Sequence, residues 1–264
     1  MAQADTGQHD RRVSPETRVS LPLRAWLAVP DWGFRVVGAG FFLLYAATRM
    51  RVYSTDFPNV GPYLIVSAAG ERMYFPTAKI LTDLTFLLIA LSFCIRVPPR
   101  ERAMRPSEIV VPLIAGFWPL LPFFALSLLG PIAPEWAKAL KASFGFGPIR
   151  RIQFYFGVLL LVVGNGFDVW GYGTLCRSLS IVAEARILKT RGPYRLVRHP
   201  IYLGQFIAQA GFWLVLVRLQ LVWIVFYVVF VAMQLYRSRV EDRVLERAFG
   251  ESYVRWKRRT FWFV

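Results

Sequence analysis

Residues 191–204 read Arg191-Gly-Pro-Tyr-Arg-Leu-Val-Arg-His-Pro-Ile-Tyr-Leu-Gly204 and lie between two long apolar segments. The stretch combines three arginines, two glycines and two prolines with the only histidine outside the N-terminal residues. Pro200 fits the first turn of a following helix, because its missing N–H costs nothing there. His199 is then expected near the N-cap, beside backbone N–H groups without helical partners. A cationic loop at a buried helix start predicts a site for an anionic or zwitterionic ligand.

The composition of the whole chain predicts an integral membrane protein of the all-α class. Of the 264 residues, 56% are hydrophobic and 16% aromatic, and the mean hydropathy is +0.43. A helix needs about 20 mostly apolar residues to cross the hydrocarbon core of a bilayer. Six segments approach that length, at residues 32–47, 78–95, 109–129, 152–175, 202–217 and 219–236. We therefore predict a polytopic helical membrane protein with six transmembrane helices, of which the last two form a tight hairpin at Arg218.

The basic residues predict the orientation of these spans. The formal net charge is +16, from 32 lysines and arginines against 16 acidic residues. In a soluble protein this surplus would suggest a nucleic acid partner. With the N-terminus in the cytoplasm, however, most basic residues fall on the cytoplasmic side, in agreement with the positive-inside rule. We expect cytoplasmic termini, no nucleic acid partner, attraction of the protein to anionic lipid headgroups of the lipid bilayer, and a bacterial inner membrane or its equivalent as location.

The chain divides into three predicted parts. Residues 1–30 form a polar cytoplasmic tail without the apolar core of a signal peptide. Residues 31–150 hold three N-terminal spans, and residues 151–264 hold three further spans, the cationic loop and a C-terminal helix. Cys94 and Cys176 form no disulfide framework, and His9 lies in the tail, so no metal site is expected. The sequence contains no phosphate-binding glycine loop or serine elbow, which excludes most ATPases and hydrolases.

Glycines and two polar residues distinguish the fourth predicted span. The glycines are Gly157, Gly164, Gly166, Gly171 and Gly173. Small residues let membrane helices approach closely. Asn165 and Asp168 are one helical turn apart and share a face, and intramembrane polar groups usually point to the bundle interior. Both packing and ligand contact stay open for this pair, whereas Asp83 in the second span is expected to be structural.

Residues 237–260 are charged but periodic. The apolar positions are Leu245, Phe249, Tyr253 and Trp256. Their spacing predicts one apolar stripe on a C-terminal amphipathic helix that lies along the membrane surface. Glu241 and Asp242 stand at the start of this helix, where ion pairing with Arg237 is the ordinary interpretation. If the fold brings them close to His199, they form half of a site.

These segments together resemble the isoprenylcysteine carboxyl methyltransferase family. The resemblance is carried by LKTRGPYRLVRHPIY at 188–202, the hairpin that follows it, RSRVEDRVL at 237–245 and FGESY at 249–253. It extends over residues 152–264, while the first three spans resemble no family. Such enzymes are helical membrane proteins that transfer a methyl group from S-adenosylmethionine without the soluble Rossmann-type fold. The resemblance implies a cofactor pocket in the last helices, open to the cytoplasm, and a lipophilic methyl acceptor that enters from the bilayer.

The resemblance also implies the site residues. The cofactor-binding residues would be Arg186, Ile187, Leu188, Lys189, Tyr194, His199, Pro200, Ile201, Tyr202 and Glu241. Arg237 occupies the position of an arginine that faces the acceptor, and Arg237 and Glu241 would be the catalytic residues. Lys189 and His199 suit the cofactor carboxylate, Glu241 suits its ammonium or ribose hydroxyls, and the two tyrosines suit its adenine or its sulfonium. The second glutamate of the family pattern is Asp242 here.

Two other functions fit parts of the sequence. Membrane NADPH-dependent reductases of the sterol type are similar at the C-terminus, but they tend to have Asn before the tyrosine and an acid after the next glycine. This chain has Ile201 and Gln205 at those positions. A non-enzymatic membrane scaffold would explain the charge bias but not the pairing of the His-Pro loop with an acidic helix start. The acceptor itself stays open among carboxylates on lipidated cysteine, phospholipid amines and small thiols.

Overall fold

The computed structural model describes residues 30–56, 65–66, 72–73, 76–103, 105–143, 149–217 and 219–263, with side chains described outside 49–79 and 141. The predicted N-terminal tail, with His9, and the hairpin residue Arg218 lie outside this description, apart from Pro30. The described chain is nearly all helical, which confirms the predicted class.

The helices and strands follow one another in this order. The α-helices are α1 (Asp31–Asp56), α2 (Pro76–Ile95), α3 (Ser107–Phe117), α4 (Leu121–Ile132), α5 (Pro134–Ser143), α6 (Arg151–Leu175), α7 (Pro200–Ala210), α8 (Leu221–Phe249) and α9 (Glu251–Lys257). Short 3-10 turns occupy Trp118–Leu120, Cys176–Ser178 and Gly192–Arg195, and a π-helical segment, Gly211–Leu216, extends α7. Two antiparallel ladders pair β1 (Ile65–Val66) with β2 (Arg72–Met73) and β3 (Glu101–Arg102) with β4 (Glu184–Ala185).

Among the described residues, three helical stretches are long and apolar enough to cross a membrane. They are Ser107–Ile132, which joins α3 to α4, Arg151–Ser178 and Leu221–Phe249. Ile80–Ile95 and Pro200–Leu216 are apolar but shorter. Helix α1 contains the first predicted span, but its sequence has charged residues at both ends. The predicted number of six spans is therefore not confirmed.

Large apolar side chains cover the outer faces of these helices. Leu128 is 65% exposed, Ile152 is 79% exposed and Leu221 is 75% exposed. Soluble monomers rarely expose contiguous apolar surface of this extent. Exposed faces of this kind are expected of helices that contact lipid acyl chains rather than water.

Helices α6 and α7 cross at glycines. A β-carbon at Gly157 would overlap the Leu216 side chain, and one at Gly164 would overlap the backbone of Gly204 and Ala208. These glycines lie seven residues apart, so they recur on one face of α6. The close approach that the glycine pattern predicts is therefore present, and it determines where the polar residues of α6 lie relative to α7.

The predicted hairpin of the last two spans is also present. The indole of Trp213 stacks on that of Trp223, with ring centroids 4.6 Å apart. Phe206 of α7 contacts Phe230 of α8 edge to face. These aromatic pairs add to the apolar area buried between the helices, and they align the start of α7 with the C-terminal half of α8.

The C-terminal helix differs from the prediction. Helix α8 continues without a break from the apolar segment to Phe249, because no glycine or proline interrupts it before Gly250. Gly250 has a φ of 50°, which favours glycine and ends the helix before α9. Leu245 and Phe249 pack against Ala183 and nearby buried residues. The apolar stripe thus faces the protein, and the predicted helix is not separate from the last span, because residues 237–249 continue it.

The C-terminal residues return to the loop that precedes α7. The Arg198 amide donates to the Phe261 carbonyl (2.9 Å), and the Phe261 amide donates to the Leu196 carbonyl (3.0 Å). The Trp262 indole N–H donates to Ser238 of α8 at 2.9 Å. The last residues of the chain therefore hold the start of α7 against α8, although the sequence shows no pattern for this contact.

We predict that Gly164→Ala destabilises the protein and that Gly166→Ala does not. The added methyl group at Gly164 would overlap α7 backbone, and such overpacking costs about 1–3 kcal/mol of unfolding free energy. Gly166 has nothing within 4 Å of an added β-carbon, so it is a matched control two residues away. Thermal unfolding midpoints in detergent compare the two variants, and equal midpoints would contradict the close helix crossing.

Candidate active site

A cavity of about 300 Å³ lies between α2, α3, α6, α7, α8 and the residues that lead from α6 to α7. Ten predicted site residues line it: Arg186, Ile187, Leu188, Lys189, Tyr194, His199, Ile201, Tyr202, Arg237 and Glu241. Pro200 does not line the cavity. It begins α7 as predicted, and it is buried there among packed residues. The sequence motifs on either side of the hairpin therefore meet around one space.

The imidazole of His199 lies between two carboxylates. Its Nε2 is 2.8 Å from Asp242 Oδ1, and its Nδ1 is 3.7 Å from Glu241 Oε2. A carboxylate can only accept, so Nε2 carries the proton of the shorter contact. The ring also stacks on Tyr202, with centroids 5.3 Å apart and planes 8° apart. The ring orientation is fixed, and Nδ1 is the nitrogen on the Glu241 side.

Asp242 is a buried anchor for the loop before α7. Arg198 Nη1 lies 2.7 Å from Asp242 Oδ2, and the Tyr253 hydroxyl donates to Oδ1, the oxygen that also binds His199. Only 4% of Asp242 is exposed. Asp242 does not line the cavity, and the sequence left its role open. Its partners show that it holds His199 and Arg198 in place from α8.

Glu241 is the carboxylate of α8 that lines the cavity. The Tyr202 hydroxyl donates to Glu241 Oε1, and Arg237 Nε donates to the same oxygen at 3.1 Å. Arg237 also donates from Nη2 to the Ile181 carbonyl at 2.8 Å, and its guanidinium lies over the Tyr202 ring. The ordinary i,i+4 ion pair predicted for these residues is present. The pair lies in the wall of the cavity, so both residues line the cavity and also bind each other.

Arg186 lines the cavity, but its guanidinium is engaged in contacts with other groups of the protein. Its Nη2 lies 2.9 Å from Asp31 Oδ1 and 2.7 Å from Glu184 Oε2, and its Nη1 donates to the Val97 carbonyl. Arg96 reaches the same Asp31 oxygen at 2.9 Å. This buried ionic cluster ties α1 and the end of α2 to the cavity loop. Burial lowers the pKa of Arg96 to about 10.

Aromatic rings of the loop before α7 and of α9 form part of the cavity wall. Tyr194 is buried in a 3-10 turn, where its carbonyl accepts from the Trp256 indole at 3.0 Å. Burial raises the pKa of the Tyr194 phenol, and the carboxylates of Glu241 and Asp168 add to the rise. Lys189 lines the same cavity and is partly exposed.

Several cavity residues were missed or left open from the sequence. Asn165 and Asp168 of α6 are both buried and both line the cavity, so their shared face contacts the site as well as α7. Phe42, Phe86, Ile89, Phe117 and Leu120 come from helices α1 to α3 and the turn after α3. Ordinary apolar residues of separate helices carry no sequence signal for a shared wall. Within the described part of the chain, no group of His, Cys, Asp and Glu is arranged to hold a metal ion.

A comparison with protein families gives the class of this site. The model of the phospholipid methyltransferase family matches residues 152–252. Over those residues the chain is similar to membrane methyltransferases. The match spans α6, the cavity loop, α7 and α8, and it includes the isoprenylcysteine carboxyl methyltransferase-like enzymes, so the resemblance seen in the sequence is confirmed. No curated protein matches the chain. Helices α1 to α5 lie outside the matched residues.

We predict that Asp242→Asn destabilises the protein. The substitution leaves buried Arg198 with a neutral partner, and breaking a buried ion pair costs about 3–5 kcal/mol of unfolding free energy. Glu246→Gln is the control, because Glu246 lies one turn further along α8 and pairs with Lys257 only at a long 3.9 Å. Thermal unfolding in detergent measures both. A midpoint for Asp242→Asn as high as that of the control would show that Asp242 is not an anchor.

Asp31→Asn is predicted to lower stability far more than Arg35→Gln. Asp31 is the shared partner of buried Arg96 and Arg186, whereas Arg35 binds its other oxygen from the surface at 2.9 Å. Removing the carboxylate leaves two buried cations less compensated, while removing Arg35 breaks a pair worth about 0–1 kcal/mol. The thermal unfolding midpoints of the two variants test this prediction. Similar small losses would mean that the buried cluster does not depend on Asp31.

Proposed function

We propose that this methyltransferase takes its methyl group from S-adenosylmethionine and transfers it to a lipophilic or membrane-borne acceptor. The observation that supports this most directly is the convergence of His199, Glu241 and Arg237 on one cavity in the family-matched part of the chain. The family match also favours a methyltransferase over the NADPH-dependent reductase and over a scaffold without activity.

The side chains around the cavity suit the groups of this cofactor. It carries a carboxylate, an ammonium, ribose hydroxyls and a cationic sulfur. Lys189 and the start of α7, where His199 is the N-cap residue, suit the carboxylate. Glu241 suits the ammonium or the ribose. The aromatic faces of Tyr194 and Tyr202 attract a cation, so they suit the region of the sulfonium. The binding residues we propose are those predicted from the resemblance, without Pro200.

The catalytic contribution of the protein is mainly positioning. When bound, S-adenosylmethionine supplies an electrophilic methyl group on a sulfonium sulfur. Holding two reactants in line saves translational and rotational entropy, which can lower a barrier by about 7–11 kcal/mol. Asp242 and Tyr202 keep the His199 ring in one orientation, and Tyr202 and Arg237 keep Glu241 in one orientation. Buried walls strengthen each electrostatic contact by excluding water.

We also infer that both termini face the cytoplasm and that anionic lipid headgroups bind the protein there. The inference is supported by exposed arginines near the C-terminus, which are Arg239, Arg243, Arg247, Arg255, Arg258 and Arg259. Each lysine or arginine near an anionic membrane surface contributes about 1 kcal/mol of attraction. This orientation would place the cavity loop at the cytoplasmic surface, where a water-soluble cofactor has access.

Glu241→Ala is predicted to abolish binding of S-adenosylhomocysteine, and His199→Ala to weaken it. Loss of a charge-assisted hydrogen bond costs about 1.5–3 kcal/mol of binding free energy. Calorimetry on detergent-purified protein measures both affinities. Glu246→Ala is the matched control, because Glu246 is exposed on the same helix, and it should bind like the unmodified protein.

Two results would contradict the proposed function. The first is unchanged calorimetric binding by Glu241→Ala. The second comes from thermal shift, in which a ligand that binds only the folded protein raises the unfolding midpoint. Stabilisation by NADPH and not by S-adenosylhomocysteine would favour the reductase.

A further inference from the structure

Three polar side chains line the cavity where α6 crosses α7, and the cofactor residues leave them unexplained. They are Asn165 and Asp168 of α6 and Gln209 of α7. Gln209 follows Ile201 by eight residues in α7, which places it about 12 Å further along the helix than that predicted cofactor residue. These side chains therefore belong to a part of the cavity away from the start of α7.

Asp168 is a buried carboxyl group to which the described residues supply no salt bridge. Only 6% of the residue is exposed, and its Oδ1 atom has no hydrogen-bond partner among those residues. A β-carbon at Gly204 would come within 2.7 Å of Oδ1, so this oxygen packs against α7 and Oδ2 is the oxygen on the cavity side. Burial of an ionised carboxylate without a cation is so costly that the group takes up a proton instead. Asp168 is therefore a neutral carboxylic acid, which donates one hydrogen bond.

The side-chain amide of Gln209 adds further hydrogen-bond donors to this wall. Trp213 Nε1 lies 2.7 Å from Gln209 Oε1. An indole N–H can only donate, so this contact fixes which end of the amide is the oxygen. The amide nitrogen then carries two N–H groups for which the described part of the chain supplies no partner. Asn165 is 8% exposed and its amide also lacks a partner there, so the wall holds more unpartnered donors than acceptors.

The other side chains that complete this part of the cavity are apolar. They come from α1, α2 and α3, and they are Phe42, Phe86, Ile89 and Phe117. The basic side chains that line the cavity lie instead in residues 186–199 and at Arg237. A charged ligand group would lose its hydration beside Asn165 and Gln209 without gaining an opposite charge, which is costly. An apolar pocket with a few fixed polar groups orients an uncharged ligand by hydrogen bonds.

We propose that Asn165, Asp168 and Gln209 bind an uncharged carbonyl oxygen, of a ketone or an ester, that is carried by an apolar membrane-borne molecule. The Asp168 O–H and the Gln209 N–H donate to this oxygen, and the apolar side chains of α1 to α3 enclose the rest of the molecule. As a subsite for the methyl acceptor, this assignment rests on the proposed function. The carbonyl would then lie about 12 Å from the cofactor residues, so it orients the acceptor and takes no part in the transfer.

The first test compares three ligands of similar length in the absence of cofactor. They are 2-dodecanone with a ketone, methyl undecanoate with an ester, and dodecane with neither. A ligand that binds only the folded protein raises its unfolding midpoint. We expect the carbonyl compounds to raise the midpoint of the detergent-purified protein more than dodecane does, and the larger of their two shifts identifies ketone or ester as the preferred source. Equal shifts for all three ligands would overturn the proposal.

The second test measures the affinity for 2-dodecanone in variants of the donors. Asp168→Leu and Gln209→Leu should each weaken binding by about fivefold, the size expected for one hydrogen bond between uncharged groups. Asp168→Asn should bind like the unmodified protein, because its amide N–H also donates. The order of the two Asp168 variants distinguishes a hydrogen-bond donor from a residue that only fills space. Equal affinities for Asp168→Leu and Asp168→Asn would overturn the proposal.

Asp83→Leu is the matched control for Asp168→Leu. Asp83 is a half-buried acidic residue of α2 that does not line the cavity, so its substitution should leave the affinity for 2-dodecanone unchanged. Asp168→Leu should fold, because replacing a buried polar group without a partner by an apolar group is nearly neutral or stabilising. If it does not fold, Gln209→Leu and the three ligands on the unmodified protein test the proposal.

Infrared spectra test the protonation state of Asp168 directly. The spectrum of the unmodified protein near neutral pH, minus that of Asp168→Asn, should show the C=O stretching band of a protonated carboxyl group. Carboxylate bands in its place would overturn the proposal. None of these measurements uses S-adenosylmethionine. Carbonyl-dependent binding without binding of S-adenosylhomocysteine would therefore support this site and contradict the proposed function.

Discussion

The buried contact of Asp242 with Arg198 and His199 is the interaction on which the site depends. It joins α8 to the two residues before α7 across the hairpin, at 2.7 Å from Arg198 and 2.8 Å from His199. It holds the imidazole beside Glu241, whose own orientation is fixed by Tyr202 and Arg237. Removing one partner of a buried ion pair is strongly destabilising, since the other charge is left uncompensated. Glu241 lines the cavity beside His199, while its neighbour Asp242 anchors the loop that carries His199.

The crossing of α6 and α7 at the glycines determines which residues of α6 reach the cavity. Backbone contact at Gly164 brings α6 against α7, and Asp168, one turn further along α6, reaches the cavity past Gly204. Larger residues at the crossing would separate the helices. Packing and ligand contact, which the sequence left as alternatives for this helix, are consequences of one geometry.

The sequence predicted correctly those features whose pattern lies within a short segment of the chain. Apolar length predicted the helices, and the two motifs predicted that His199 and Glu241 meet, because helix starts and hairpins are encoded within short segments. The continuity of α8 was missed, since the charge change after Tyr236 suggested a new helix although no residue breaks the old one. The role of Asp242 was not predictable either. Its partners Arg198 and Tyr253 come from different elements, and such contacts depend on tertiary packing.

The helices outside the family match contribute to the site in a way that their sequences do not reveal. Asp31 at the start of α1 binds Arg186, and Phe42 further along α1 lines the cavity. The ionic cluster holds the loop, while apolar side chains of α1 to α3 line the same cavity. A buried ionic cluster resists movement, because a buried charge that is separated from its partner is costly. An apolar wall selects a ligand only by the shape and the lipophilicity of that ligand. If the matched helices carry the methyl-transfer chemistry, the added helices are the part of the chain suited to select the apolar portion of the acceptor.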